Sequence, residues 1–137
     1  ALPISQTYFD SVVALAQWAD YLVVACPGGA ATEHLVNAKV LQALGEQGFL
    51  INIARGSVVD EAALVAALEA GQLAGAALDV FEREPAIPAA LLQNERVVLT
   101  PHIGSATGET RLDMDELLLQ NVAAFVNEGR LVTAVSA

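Results

Sequence analysis

The sequence has few cysteines, few basic residues and no long apolar runs, and each shortage excludes a class of protein. Cys26 is the only cysteine, so no intramolecular disulfide can form, which favours a reducing, cytoplasmic compartment. Six basic residues stand against sixteen acidic ones, and the net charge of −10 disfavours binding to nucleic acid or to an anionic membrane face. No apolar run approaches the ~20 residues that cross a bilayer, so no membrane partner is expected.

The residues that are present favour a heavily buried fold. Hydrophobic residues make up 55% of the 137 residues and charged ones only 16%. This length predicts one domain that can bury a real core. The high apolar share is typical of a buried parallel sheet, or of a piece of a larger protein.

Helical and strand patterns alternate along the chain. Helices are predicted over residues 11–19, after Asn37 as far as Gly45, from Asp60 to Gly71, briefly over 88–94, and from Thr107 to about Gly129. Strands are predicted over residues 21–26, 49–54, 74–81 and 97–100, the first of them covered on both faces. The joins are short, so no internal domain boundary is expected. This order predicts an α/β fold with a parallel sheet.

No G-x-G-x-x-G turn stands between a strand and a helix. That turn opens a dinucleotide-binding half, and this chain begins with a helix instead. Two interpretations remain open: the chain is no nucleotide fold, or it is the second half of one.

Three side chains with useful chemistry follow predicted strands: Arg55, Glu84 and His102. Arginine can hold a carboxylate through two parallel hydrogen bonds, and histidine can exchange a proton near neutral pH. A glutamate paired with the histidine would fix its tautomer. Together the three would suit a small 2-oxo or 2-hydroxy acid. Taken singly, Arg55 is typical of a surface ion-pair partner and Glu84 of a solvated loop residue, and His102 fits a structural role as well as a functional one.

Three stretches resemble the signature motifs of the D-isomer-specific 2-hydroxyacid dehydrogenases, most of all the glyoxylate and hydroxypyruvate reductase branch. They are INIARGSVVDEAALVAAL, AGAALDVFEREP and LTPHIGSAT, in the family's order and spacing. The resemblance runs from about residue 20 to 133. It implies a partial Rossmann-like, doubly wound parallel sheet, the C-terminal half of a domain that binds NAD or NADP.

The resemblance also implies a role for each matching residue. The arginine of N-x-A-R-G falls on Arg55, which would clamp the substrate carboxylate of a small 2-keto acid. The glutamate before proline in D-V-F-x-x-E-P falls on Glu84, which would support the histidine. The histidine of T-P-H-I-G falls on His102, which would protonate the carbonyl as hydride arrives from the nicotinamide.

Further residues match positions that touch the cofactor in the family. These are Cys26, Pro27, Thr32, Ile53, Ala54, Arg55, Asp79, His102 and Gly104. Considered without the resemblance, Cys26 is a small buried residue and Thr32 a helix cap. His34 matches no motif and is interpreted as a surface residue. No metal site is predicted.

The chain departs from the family in the loop after the first predicted strand. PGGAAT replaces the more usual P-L-T-x-x-T, so the first threonine is missing and a more flexible loop is expected. The resemblance also implies that the glycine-rich turn and most of the substrate domain lie upstream. Residues 1–128 would then be the C-terminal portion of the cofactor domain, and 129–137 a tail returning toward the substrate domain.

The family resemblance further implies a homodimer formed through the cofactor domain. Two alternatives to an active enzyme stay open: a non-catalytic dinucleotide-sensing protein on the same fold, or a fragment that is inactive by itself. Formate dehydrogenases are a nearer enzymatic alternative, but that family has glutamine where Glu84 stands.

Overall fold

Four parallel strands form one sheet in the computed structural model, which describes residues 7–135. The strands are β1 (Tyr21–Val24), β2 (Phe49–Asn52), β3 (Gly75–Leu78) and β4 (Val97–Leu99). They lie side by side in chain order, and each neighbouring pair is parallel. The predicted α/β fold with a Rossmann-like parallel sheet is confirmed.

Five α-helices alternate with these strands among the described residues. They are α1 (Val12–Trp18), α2 (Ala38–Leu44), α3 (Glu61–Glu69), α4 (Ala89–Leu92) and α5 (Gly108–Glu128). A short 3₁₀ turn, Gly56–Val58, follows β2 and was not predicted. Within residues 7–135, no helix combines the length and the apolar character needed to cross a bilayer.

Side-chain caps set where the helices begin, as the sequence predicted for Asn37, Asp60 and Thr107. Each side chain accepts a hydrogen bond from a backbone N–H in the first turn of its helix, which satisfies a donor that has no partner inside the helix. The side chain of Asn52 binds backbone at the end of a strand instead of at the start of a helix. Its side chain accepts from the N–H of Ala54, and β2 ends at Asn52 rather than at the predicted residue 54.

The sheet buries one face, since inward and outward side chains alternate along β1. Leu22 and Val24 lie in a cluster with residues of α1, α2 and α3, whereas Tyr21 and Val23 are exposed. The expectation that this strand is covered on both faces is therefore wrong for the described chain. An apolar run shows that a strand prefers burial, but not which chain segment provides the cover.

The chain divides into two compact units between His102 and Ile103. No boundary was expected there, because the joins are short. In the second unit, no residue of α5 is buried, and the amide side chain of Asn121 holds Thr133 through two hydrogen bonds. The division of function between residues 1–128 and 129–137 remains a prediction.

Gly56 allows two loops to touch at the carboxyl ends of β2 and β3. A Cβ atom at Gly56 would lie 2.0 Å from the carbonyl carbon and oxygen of Phe81, and 2.4 Å from the nitrogen of Glu82. Those atoms belong to backbone and cannot move aside as a flexible side chain would. The missing side chain therefore sets how closely the loop after β2 packs against the loop after β3.

We expect Gly56→Ala to lower the free energy of unfolding by ~2 kcal/mol or more, because an added methyl group overpacks this contact. Thermal unfolding measures the effect. Gly108→Ala is the matched control, since nothing lies within 4 Å of its built Cβ and alanine favours a helix more than glycine does. Equal stability of the two variants would contradict the close approach.

Candidate active site

Loops after all four strands of the first unit line one cleft of about 870 Å³. In an open α/β sheet, ligands bind outside the carboxyl ends of the strands, and this cleft lies there. The predicted site residues that line it are Cys26, Pro27, Ile53, Ala54, Arg55, Glu84 and His102. The structure thus brings all three predicted catalytic side chains into one cleft.

Glu84 is held by two hydrogen bonds. Its Oε2 lies 2.9 Å from Nδ1 of His102, and its Oε1 accepts from the N–H of Phe81 at 2.9 Å. The hydrogen bond with His102 is the largest cause, and the bond from Phe81 the second, of a pKa of Glu84 below its ordinary value. A carboxylate only accepts hydrogen bonds, so the proton on this side of the ring belongs to Nδ1. The second ring nitrogen, Nε2, is then left for proton exchange with a ligand.

His102 adopts a backbone conformation that few residues other than glycine adopt. Its φ angle is 55°, in the left-handed region, and its N–H donates to the carbonyl of Thr100. Histidine tolerates this region better than most residues, at a cost of about 1–3 kcal/mol. This turn directs the ring toward Glu84 directly after the sheet ends.

Arg55 stands at the exit of β2. Its Nη1 donates to the carbonyl of Ala54 at 2.6 Å, and its positive charge contributes to the lowered pKa of Glu84. The stem of the side chain passes over Gly28, where a built Cβ would lie 2.8 Å from Cγ of Arg55. In this chain, Gly28 therefore lets the stem of Arg55 pass close to the loop backbone, a contact that local sequence reasoning missed.

The remaining predicted cofactor residues are placed differently. Thr32 does not line the cleft; its hydroxyl donates to the carbonyl of Pro27 at 2.8 Å, so it holds the loop that does. Asp79 is buried, and its Oδ1 accepts from the hydroxyl of Thr100 at 2.5 Å. Gly104 belongs to the second unit. Cofactor roles for these residues remain predictions.

A second histidine–glutamate pair has its glutamate, Glu82, on the same loop as Glu84. Nε2 of His34 is 3.1 Å from Oε1 of Glu82, and the N–H of His34 donates to the carbonyl of Ser57. The hydrogen bond to Glu82 is the largest cause of a raised pKa of His34. His34 was expected to be a plain surface residue, and no local pattern could have found a partner 48 positions away.

Comparison with known proteins identifies the fold and its relatives. Residues 3–104 match the family model described as D-isomer specific 2-hydroxyacid dehydrogenase, NAD binding domain. The chain is 53% identical over 129 residues to a hydroxyphenylpyruvate reductase of Plectranthus scutellarioides, covering 94% of this chain and 41% of the relative. It is 50% identical over 132 residues to a glyoxylate/hydroxypyruvate reductase of Arabidopsis thaliana, covering 96% and 42%.

A solved structure agrees with these relatives. An NADPH-dependent glyoxylate/hydroxypyruvate reductase from Sinorhizobium meliloti, crystallised with NADP and malonate, is similar with a TM-score of 0.94 and 48% identity. The match covers 99% of this chain and 43% of that one. The chain therefore spans less than half the length of the relatives it matches.

The pairing of Glu84 with His102 can be tested by NMR titration of the Glu84 carboxyl. We expect a pKa below the ordinary value of 4.5 in the wild type, and a rise toward that value in His102→Asn, which removes the main cause. His34→Asn is the matched control and should leave the pKa of Glu84 unchanged. The stabilisation from this pair is present above pH 4.5 and is lost as the pH falls through the lowered pKa. An unshifted pKa in His102→Asn would contradict the pairing.

The pair of His34 and Glu82 predicts the opposite pH dependence. Its stabilisation is complete below the ordinary histidine pKa of 6.5 and is lost as the pH rises through the raised pKa. Besides Glu82, the carboxylates of Asp60 and Glu33 contribute to this raised pKa. The difference in unfolding temperature between wild type and His34→Gln should therefore shrink with rising pH, and Glu82→Gln should behave alike. A difference that is constant with pH would refute this interpretation.

Proposed function

Because the chain belongs to the D-isomer specific 2-hydroxyacid dehydrogenase family, we propose that it supplies the three catalytic side chains of a reductase for small 2-keto acids. Glyoxylate and hydroxypyruvate are the substrates that the names of its relatives suggest. NAD or NADP is the cofactor. The observation that carries the proposal is the bond between His102 and Glu84 in the same cleft as Arg55.

The cleft suits a nicotinamide cofactor and an acid together. Ile53, Cys26 and Ala54 supply an apolar part of the lining, which fits a flat aromatic ring, and Arg55 supplies a cation. When bound, the reduced nicotinamide supplies the hydride for the carbonyl carbon. The residues proposed to contact the cofactor are Cys26, Pro27, Thr32, Ile53, Ala54, Arg55, Asp79, His102 and Gly104.

Each catalytic side chain has one task in this proposal. The guanidinium of Arg55 holds the substrate carboxylate through paired hydrogen bonds and so orients the neighbouring carbonyl. Nε2 of His102 gives its proton to the carbonyl oxygen, which becomes the hydroxyl of the 2-hydroxy acid. Glu84 holds Nδ1 and stabilises the ring while it is protonated.

We also propose a cytoplasmic location and a homodimer formed through the cofactor domain. The single cysteine supports the first. The family resemblance supports the second.

Kinetics of the full-length protein that carries this chain test the proposal. Arg55→Ala should raise KM for the 2-keto acid by ~100-fold, since a charge-assisted bidentate contact is lost. His102→Ala should lower kcat by ~10²–10⁴-fold, because the proton donor is lost.

Arg130→Ala is the control, since that arginine is exposed and its ion pair within residues 7–135 is with Glu128. It should keep wild-type kinetics. Normal activity of both Arg55→Ala and His102→Ala would overturn the assignment. Tight binding of NADH or NADPH without turnover of any 2-keto acid would instead favour a dinucleotide-sensing protein.

A further inference from the structure

We propose that Asn52 is a positioning residue that holds the substrate-clamping arginine in place. This inference rests on the proposed function, because it concerns how Arg55 is presented to the 2-keto acid. Asn52 is the last residue of β2, three positions before Arg55. It acts through the backbone and is not proposed to touch substrate or cofactor.

Asn52 occupies a position where the fold favours an apolar side chain. It is 1% exposed, and among the residues described only Asn52 and Asp79 are buried and polar or charged. The preceding inward position on the same strand holds Leu50. Burying an amide without partners costs roughly 1–3 kcal/mol by mutational measures, so both ends of this side chain need hydrogen bonds.

Both ends find their partners in the loop that carries the arginine. Oδ1 accepts from the N–H of Ala54 at 3.0 Å, and Nδ2 donates to the carbonyl of Arg55 at 3.1 Å. The side chain thus binds the first and the last polar groups of the Ala54–Arg55 backbone. These two hydrogen bonds satisfy backbone groups beyond the end of β2, where neighbouring strands no longer supply partners.

Only a side chain of this length with one donor and one acceptor binds both the N–H of Ala54 and the carbonyl of Arg55. Leucine would fill the space but leave the N–H of Ala54 without this partner. It would also remove one of the two hydrogen bonds to the carbonyl of Arg55, which accepts from the N–H of Val58 as well. An ionised aspartate would keep the acceptor for Ala54 but turn an oxygen toward the oxygen of Arg55. The chemistry at this position therefore selects asparagine.

The two bonds set the starting point of the arginine side chain. With its backbone fixed, the Arg55 stem passes over Gly28 and its guanidinium reaches the Ala54 carbonyl. The backbone of Asn52 also links the neighbouring strand, because its carbonyl accepts from the N–H of Asp79. A small displacement of a group that orients substrate can cost up to ~100-fold in rate, so loss of the Asn52 bonds should act on the substrate clamp.

Leu78 provides the control for a purely structural role. It pairs in register with Asn52 on the adjacent strand and is equally part of the core, at 4% exposure. Leu78→Ala therefore weakens the same region of the sheet and leaves the two loop bonds intact.

A double-mutant cycle in the full-length protein decides between the roles. Asn52→Ala should lower kcat/KM for the 2-keto acid by ~10-fold in the wild type, and by less than ~2-fold when Arg55 is already alanine, because the residue it positions is gone. Leu78→Ala should have the same effect in both backgrounds. An Asn52→Ala effect of equal size in both backgrounds would overturn the proposal.

Asn52→Asp tests the hydrogen bonds with nearly unchanged shape. Burial raises the pKa of a carboxyl group, and the protonated form regains a donor for the carbonyl of Arg55. Its deficit in kcat/KM relative to the wild type should therefore shrink as the pH falls from about 8 to about 6. A deficit that does not change with pH would count against the proposal.

Hydrogen exchange separates this inference from the proposed function. In Asn52→Ala the amide of Ala54 loses its partner and should exchange at least ~10-fold faster, whereas in Leu78→Ala its exchange should follow only the change in global stability. Accelerated exchange in a protein that reduces no 2-keto acid would refute the function and keep the positioning of the loop. Unchanged exchange would refute the positioning whatever the activity.

Discussion

The structure depends on one constraint: parallel strands all end at the same edge of the sheet. Arg55, Glu84 and His102 lie far apart in the chain, yet each follows a different strand of a sheet ordered β1-β2-β3-β4. Their side chains therefore line one cleft although they are not neighbours in the sequence. The fold brings the loops together, and the residues directly after each strand decide the chemistry.

The loop after β3 is held from two sides, by two histidines. Glu82 and Glu84 are two positions apart on this loop. Glu84 binds His102, and Glu82 binds His34. The two bonds shift pKa values in opposite directions, lowering that of Glu84 and raising that of His34. Both pairs are partly exposed, so each contributes little by itself. Gly56 adds the close backbone contact that keeps the loop beside the arginine.

Local signals were sufficient for the elements of the fold. Caps at Asn37, Asp60 and Thr107, and apolar periodicity between them, predicted the helices near their observed positions. The ends of strands were less predictable: β2 stops at Asn52, and the N–H of Ala54 donates to the Asn52 side chain rather than to a neighbouring strand. The cover of each strand face also escaped prediction, since it depends on other segments of the chain.

The same distinction separates the site residues that sequence could predict from those it could not. Strand exits and the family motifs pointed to Arg55, Glu84 and His102, because their position is set by topology. The supports of these residues are set by contacts over longer distances or by burial. His34 reaches Glu82 across 48 positions, and Gly28 matters only because the stem of Arg55 crosses it.

In Asn52, a strand position set by topology and a support that depends on burial occur in the same residue. Its place in the sequence is that of an inward strand position, where a leucine would add more to the hydrophobic core. An amide is instead retained there, with both polar ends bound to the backbone that presents Arg55. Arg55 alone is a charge at a strand exit with many conformations open to it. Its backbone is tied to the core by Asn52 and its stem lies over Gly28. Arg55 therefore has a defined position, which the proposed recognition of a planar carboxylate requires.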